Sequence, residues 1–211
     1  MKLRYILLVV MPLVAFANNI ESVNSQLLSN KYSCVDLYKN KKYTDALPTC
    51  LVVARESNPI SQFLVAKMYY DGLGTKKDIK EAIRWYKSSA NQGNTYAQDK
   101  LGDIYYTGSG TKQSYMEAAK WYRLSALRDD AYAQSRLGGL YYSGKGVAKD
   151  YKEAMKWYTL SASHGNSYAK YYLGLMYYNG IGTAKNQDKG MALIKESAKQ
   201  NNKYAKSFLS S

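Results

Sequence analysis

Few residues in this chain could do bond-making chemistry. There are two cysteines, Cys34 and Cys50, and one histidine, His164, in 211 residues. A His/Cys zinc site uses about four such ligands, so this set nearly excludes one. The cysteines stand sixteen positions apart, without the Cys-x-x-Cys spacing of a reactive dithiol. His164 precedes Gly165 at the end of a helical pattern, where it reads as a helix C-cap and not as a general base. The carboxylates are scattered, and no Gly-x-Ser-x-Gly elbow presents a serine. Gly-x-Gly recurs, but at helix ends; a phosphate loop would follow a strand. These residues carry no catalytic set, so we expect no enzyme, no cofactor and no metal.

The N-terminus is not part of the fold in this reading. Lys2 and Arg4 are basic, Tyr5 to Val14 is apolar, and Ala15-Phe16-Ala17 is a small-x-small sequence. Residues 1–17 thus read as a secretory signal peptide, removed on export. No cysteine follows closely enough for lipid attachment, and no later run reaches about eighteen apolar residues, so no membrane span is expected. The formal net charge is +14, and +12 once Lys2 and Arg4 leave. A basic exported protein meets envelope material before nucleic acid, so nucleic acid is not the expected partner. The periplasm is the expected location, with release from the cell as the alternative.

The elements that position everything else repeat. Gly72/Gly74, Gly108/Gly110, Gly144/Gly146 and Gly180/Gly182 are spaced by 36 residues, without an insertion. Tyr69, Tyr105, Tyr141 and Tyr177 keep that period, as do Tyr70, Tyr106, Tyr142 and Tyr178, and Tyr96, Tyr132, Tyr168 and Tyr204. Trp85, Trp121 and Trp157 form another column, continued by Leu193. This explains the 23 tyrosines against three phenylalanines. A fixed period of this length means stacked supersecondary units.

Each unit reads as two helices. In one, helix A covers about 132–143 and stops at Gly144, and helix B covers about 151–163 after a cap at Asp150. Such helices are too short to stand alone and are stable only when stacked. Ala118 and Ala154 are expected to face Gly102 and Gly138 across the hairpin. The units are set at 61–96, 97–132, 133–168 and 169–204, with a tail at 205–211 that starts a short final helix. Residues 18–60 lack the Gly-x-Gly loop and read as an atypical capping hairpin, with helices at about 23–38 and 43–56. Cys34 and Cys50 lie one on each helix, turned to the same side. In an oxidising compartment a disulfide is the expected state, closing a loop of about fifteen residues and worth roughly 3 kcal/mol. Buried free thiols are the alternative.

The string Ala133-x3-Leu137-Gly138-x2-Tyr141-x2-Gly144-x-Gly146-Val147-x2-Asp150-x3-Ala154-x2-Trp157-Tyr158-x3-Ala162-x2-Gly165 closely resembles the Sel1-like repeat, a relative of the tetratricopeptide repeats. The resemblance covers residues 61–204, and the first hairpin is similar to a tetratricopeptide unit. It implies an all-α fold: a right-handed α/α superhelical solenoid of helix hairpins, with helix A lining the concave face. It also implies protein binding without catalysis. Secreted cysteine-rich relatives carry a cysteine pair in every repeat, and this chain carries one pair in all. Other relatives are periplasmic immunity proteins that neutralise phospholipase effectors of type VI secretion, and an exported basic array of this size suits that class. A general periplasmic adaptor, a secreted host-interaction factor, or a binder of anionic envelope glycan or lipid are the alternatives.

On that geometry the helix A positions pointing into the groove are Phe63, Asp99, Ser135 and Tyr171; Lys67, Asp103, Gly139 and Leu175; and Tyr70, Tyr106, Tyr142 and Tyr178. The last column is a tyrosine ladder, which either binds a partner or packs between helices. The first two columns differ from unit to unit, which is where specificity would lie. The unit 97–132 is neutral, 133–168 is +3 and 169–204 is +4. We therefore expect a protein partner of acidic or mixed charge, bound by Tyr70, Tyr106, Tyr142, Tyr171 and Tyr178, with Arg136 and Lys170 nearer the rim to steer it.

Overall fold

The computed structural model describes residues 25–210, except 28 and 32. The expected signal peptide and the expected start of the first helix at Val23 lie outside the described residues. The described backbone is helical with turns and contains no strand. Helix α1 is helical through 33–39. It is followed by α2 (Tyr43–Arg55), α3 (Pro59–Asp71), α4 (Ile79–Asn91), α5 (Thr95–Thr107) and α6 (Tyr115–Ala126). Then come α7 (Ala131–Ser143), α8 (Tyr151–Ser163), α9 (Ser167–Asn179), α10 (Gln187–Lys199) and α11 (Lys203–Ser210). These are consecutive helical hairpins of an all-α solenoid, with α11 following the last of them. The chain divides into two compact units between Ser89 and Ala90.

The period is written into the helix ends. Asn58, Asn94, Asp130 and Asn166 each cap a helix A by accepting from the backbone N–H three residues on. Asn202 does the same for α11 at 3.1 Å, so the short final helix begins as another helix A. Ser114, Asp150 and Asn186 cap the helices B. Such caps satisfy donors that the helix itself cannot. Each helix A stops at a left-handed glycine, for example Gly144 at φ 70°, and the N–H of Lys145 then returns to Leu140 O. The loop is closed by a bond from Asp150 N to Tyr141 O, repeated at Asp78/Tyr69, Ser114/Tyr105 and Asn186/Tyr177. The second glycine is required by stacking. A Cβ on Gly146 would lie 2.2 Å from the carbonyl carbon of Tyr115, so this loop rests on the start of the preceding helix B, as the loops at Gly74 and Gly182 do at Tyr43 and Tyr151. His164 occupies the C-cap of α8.

Side-chain bonds of two kinds tie helices B to their neighbours. Gln62, Gln98 and Gln134 donate to the carbonyls of Ala54, Ala90 and Ala126. Ser89, Ser161 and Ser197 donate to the carbonyls of Pro59, Ala131 and Ser167. All these serines and Gln62, Gln98 and Gln134 are buried, so the bonds satisfy polar groups that would otherwise be stranded.

Within the first unit, Cys34 and Cys50 form a disulfide with Cα atoms 4.8 Å apart. Both are fully buried and pack with Ala46, Ala54, Leu64, Val65 and Met68. In the second unit Trp121 and Trp157 are core residues, with Trp157 packed among Ala118, Tyr122 and Leu137. One expectation of close approach is corrected. What lies nearest Gly102 and Gly138 is the ring of Tyr122 and of Tyr158, not Ala118 or Ala154. The missing Cβ accommodates a buried aromatic ring. Only in the last hairpin do two backbones meet at these columns, where a Cβ on Gly190 would lie 2.6 Å from Gly174 O.

Candidate protein-binding face

The second unit carries clusters of aromatic and polar side chains on its helices A. At the centre of one is Asp103 on α5. Its Oδ1 accepts from the hydroxyls of Tyr122 (2.7 Å) and Tyr132 (2.6 Å). Arg136 on α7 donates from Nε to the Tyr132 hydroxyl at 2.9 Å, and its Nη2 is 3.8 Å from Asp103. The guanidinium lies over the rings of both Tyr106 and Tyr132, at 5.6 and 5.0 Å from their centroids. Burial and the bond to Asp103 push the Tyr132 hydroxyl up to about 12, and burial also raises that of Tyr122. Both phenols therefore remain donors at any physiological pH. The network fixes a planar cation against two rings, which a flexible surface arginine would not achieve.

Beyond Arg136 the tyrosines meet in several groups of ring contacts. Tyr106 meets Tyr115 edge-on at 5.2 Å, and Tyr142 meets Tyr151 at 5.3 Å. Tyr142 also approaches Tyr172, which stacks on buried Tyr158 at 5.5 Å with the planes 10° apart. Tyr171 touches Tyr172 and stacks on Tyr204, and Tyr204 meets Tyr168. Tyr178 packs edge-on against Phe208. All the ladder tyrosines are half-buried: one part of each ring packs, and the rest is presented. In the first unit Tyr70 follows the same pattern, packed on Tyr86 with Lys77 over its ring.

The candidate residues thus separate. Tyr106 and Arg136 come together with Tyr132 in one cluster, Tyr142 and Tyr171 join a second through Tyr172, Tyr178 lies against α11, and Tyr70 belongs to the first unit. Lys170 is only 17% exposed in its side chain and pairs with Glu196 at 3.1 Å, so its charge is engaged within the protein. Arg136 is likewise held by Asp103 and Tyr132.

Five contributors lie outside the set expected from the sequence. Tyr122 and Tyr158 form a 36-residue column with Tyr86, directly after the tryptophans, so that signal was available. Tyr132 and Tyr204 were read only as members of a repeated structural column, yet they are 38% and 43% exposed. Tyr172 breaks the repeat pattern and gave no signal.

A second polar group lies beside the network. Buried Ser125 does not bond a backbone carbonyl as the three equivalent serines do; its hydroxyl lies beside the Asp99 carboxyl and favours the charged form. Burial, with the carboxylates of Asp130 and Asp103 nearby, pushes the Asp99 carboxyl up to about 7. No group of His, Cys, Asp and Glu side chains among the described residues is arranged to hold a metal ion. No helix among them is long and apolar enough to cross a membrane.

The period, the capped hairpins and the glycine loops find their counterpart in known proteins. The family model described as Sel1 repeat matches residues 59–94, 95–130, 131–166 and 167–202. The chain belongs to the Sel1 repeat family. Among solved structures, a Sel1 repeat protein from Oxalobacter formigenes is 35% identical, with a TM-score of 0.79. That match covers 84% of this chain and 73% of the other. The protective antigen c5321 of uropathogenic Escherichia coli, described as displaying an SLR fold, is 26% identical with a TM-score of 0.50. It covers 87% of this chain and 48% of the antigen. The immunity protein Pa5087 from Pseudomonas aeruginosa is 14% identical with a TM-score of 0.41, over 79% of this chain and 81% of its own, a likeness too distant to carry an argument. No curated protein matches the sequence. The Sel1 repeat is a protein-interaction fold, and in this Sel1 repeat protein the helix A face of the second unit has the composition that protein interfaces favour: tyrosines and arginine, with little lysine at the centre.

Proposed function

We propose that this Sel1 repeat protein is a non-catalytic interaction module of the bacterial envelope that binds and neutralises one protein partner, in the manner of an immunity protein. The contact surface in this reading is the helix A face of the second unit. Tyr106, Tyr142 and Tyr171 supply rigid apolar area, and Arg136 supplies a pre-positioned guanidinium for a carboxylate on the partner. Lys170 acts as a brace to Glu196 more than as a steering charge.

One observation carries the reading. Asp103 and Arg136 stand at positions where the repeats differ and draw Tyr132, a member of a repeated column, into their network, while the sister positions of Asp103, Lys67, Gly139 and Leu175, maintain the same hairpin without it. The network is therefore not needed for stacking, and it presents a cation on a surface that a partner can reach. The signal peptide reading of residues 1–17 and the buried disulfide support an envelope location.

The test has two stages. The exported chain is used as bait in extracts of its own source, and the captured protein is then expressed alone and together with it. Neutralisation predicts a partner that is harmful alone and harmless in the complex. A partner that is harmless alone would make the protein an adaptor.

A further inference from the structure

The loop edge of the second unit carries a strip of paired lysines and tyrosines outside the Asp103 network. Tyr115 opens α6 and Tyr151 opens α8, in the register where Ile79 opens α4 and Gln187 opens α10. Each ring meets a ladder tyrosine edge-on, Tyr115 at Tyr106 and Tyr151 at Tyr142. Each also lies under an ammonium group. Lys145 Nζ is 5.1 Å from the Tyr115 centroid, and Lys149 Nζ is 4.9 Å from that of Tyr151. The single loop between α7 and α8 thus bridges the starts of two helices B. The register mates of Lys145 are Leu73, Ser109 and Ile181, so the hairpin loop forms without a cation there.

The cations of this strip are held but not neutralised. Neither Lys145 nor Lys149 has a carboxylate partner among the described residues. The acids close to them in sequence are committed: Asp150 caps α8 by accepting from Lys152 N and Glu153 N, and Glu153 pairs with Lys156. Glu117, in the first turn of α6, pairs with neither lysine. A tyrosine ring positions an ammonium without cancelling its charge. Lys152 adds a third exposed cation on the first turn of α8. Beside Tyr115 stands Met116, which is 68% exposed. The other repeats carry Lys80, Lys152 and Asp188 at its position. Helix α6 packs against both α5 and α7, so this exposure does not come from a missing neighbour.

Charge and apolar area together decide the occupant. A uniform polyanion would answer the lysines and leave Met116 and the two rings uncovered. A neutral apolar segment would cover the rings and leave the ammonium groups unanswered. A second copy of this chain would set lysines against lysines. A polypeptide segment that mixes carboxylates with apolar side chains satisfies both requirements. We propose that this strip receives an acidic segment of the protein partner, its carboxylates on Lys145, Lys149 and Lys152 and its apolar side chains on Tyr115, Met116 and Tyr151. The inference rests on the reading of this chain as the binder of a protein partner, and it specifies what that partner presents. Because Tyr115 and Tyr151 touch Tyr106 and Tyr142, the segment would border the helix A face.

The probe is a capped synthetic peptide of repeated Glu-Glu-Leu triplets, titrated calorimetrically into the full chain at low salt. We expect saturable binding that weakens about fivefold or more in the K145Q/K149Q variant, as loss of two exposed ion pairs allows. Met116→Gln should weaken it as well. The K195Q/K199Q variant, which removes the same charge from α10, should bind like the wild type. All five side chains are exposed, and thermal melts by circular dichroism confirm that each variant is folded. Absence of binding, or equal weakening in the two double variants, would overturn the proposal, the second because net charge alone would then account for it. Equal affinity for a Gln-Gln-Leu peptide would overturn it too. Equal affinity for oligoglutamate or dextran sulfate would make the strip a site for polyanions instead. The captured partner separates this inference from the reading beneath it. Partner binding that needs Tyr142 and Arg136 but not Lys145 and Lys149 removes the strip and keeps the face; the reverse dependence keeps the strip and removes the face.

Discussion

The hairpin α5/α6 and the hairpin α7/α8 share one framework and use it in two ways. Each buries a tryptophan, Trp121 or Trp157, and then a tyrosine, Tyr122 or Tyr158, whose ring fills the space left by Gly102 or Gly138. Yet the Tyr122 hydroxyl donates to Asp103, whereas the register mate of Asp103 is Gly139 and the Tyr158 ring stacks on Tyr172. The serines differ too: Ser161 bonds Ala131 O at 2.5 Å, and buried Ser125 lies instead beside the Asp99 carboxyl of its own hairpin. The columns that set the stacking are fixed by packing. Residues on the helix A face are free to vary, and they decide what the same buried tyrosine contacts. A repeat protein can thus alter its surface without altering its core.

This comparison can be broken at several points. Trp121→Ala and Trp157→Ala should each cost roughly 3–5 kcal/mol, because both remove a buried aromatic. Urea unfolding should give similar values for the two, and a gap of more than about 2 kcal/mol, the width of that range, would mean the frameworks are not equivalent. A smaller contrast is expected at the glycines. A new Cβ would lie 2.4 Å from the Tyr122 ring at Gly102 but 3.0 Å from the Tyr158 ring at Gly138. Gly102→Ala should therefore destabilise by about 1–3 kcal/mol, the range for overpacking, and Gly138→Ala by less. Equal losses would show that the ring moves freely in both hairpins.

The acidic group in the first hairpin sharpens the contrast through pH. The Asp99 carboxyl is raised to about 7 in the fold, against about 3.9 unfolded. The folded state therefore holds the proton more tightly. The associated stability is fully present below about pH 4 and is lost as pH rises through about 7. Thermal melts should show the wild type falling across that window, with Asp99→Asn flattening the profile. An unchanged pH profile in Asp99→Asn would assign the dependence elsewhere. The smallest effect is at the serines: Ser161→Ala should cost about 1 kcal/mol through its lost hydrogen bond, and Ser125→Ala should act through Asp99, by removing a hydroxyl that favours its charged form.

Much of the fold was legible because it is periodic. Gly144, Asp150, Trp157 and their register mates mark helix ends and core positions directly, and the boundaries of α8 follow from Asp150 and His164. The partner of each close-approach glycine was not legible. An alanine and a tyrosine on the same helix B both fit the spacing, and only the rotamer of Tyr122 or Tyr158 decides between them. The face was legible in part. The ladder Tyr106, Tyr142 and Tyr178 repeats and could be read as a column. The bonds of Asp103 to Tyr122 and Tyr132 join residues 19 and 29 positions apart, which no local pattern reveals. The pairing of Lys170 with Glu196 escaped for the same reason, and net charge per unit gives no information on which lysines are already engaged.

The central claim is that the helix A face of the second unit grips a protein partner. Its most direct test is calorimetric binding of the captured partner to folded Tyr142→Ala, Tyr178→Ala and Arg136→Gln proteins, each with its thermal melt. The account predicts a loss of about 2 kcal/mol or more for Tyr142→Ala and a clear loss for Arg136→Gln, in proteins that still melt cooperatively. Unchanged affinity in all three, with lowered melting temperatures alone, would contradict it and assign these residues to packing.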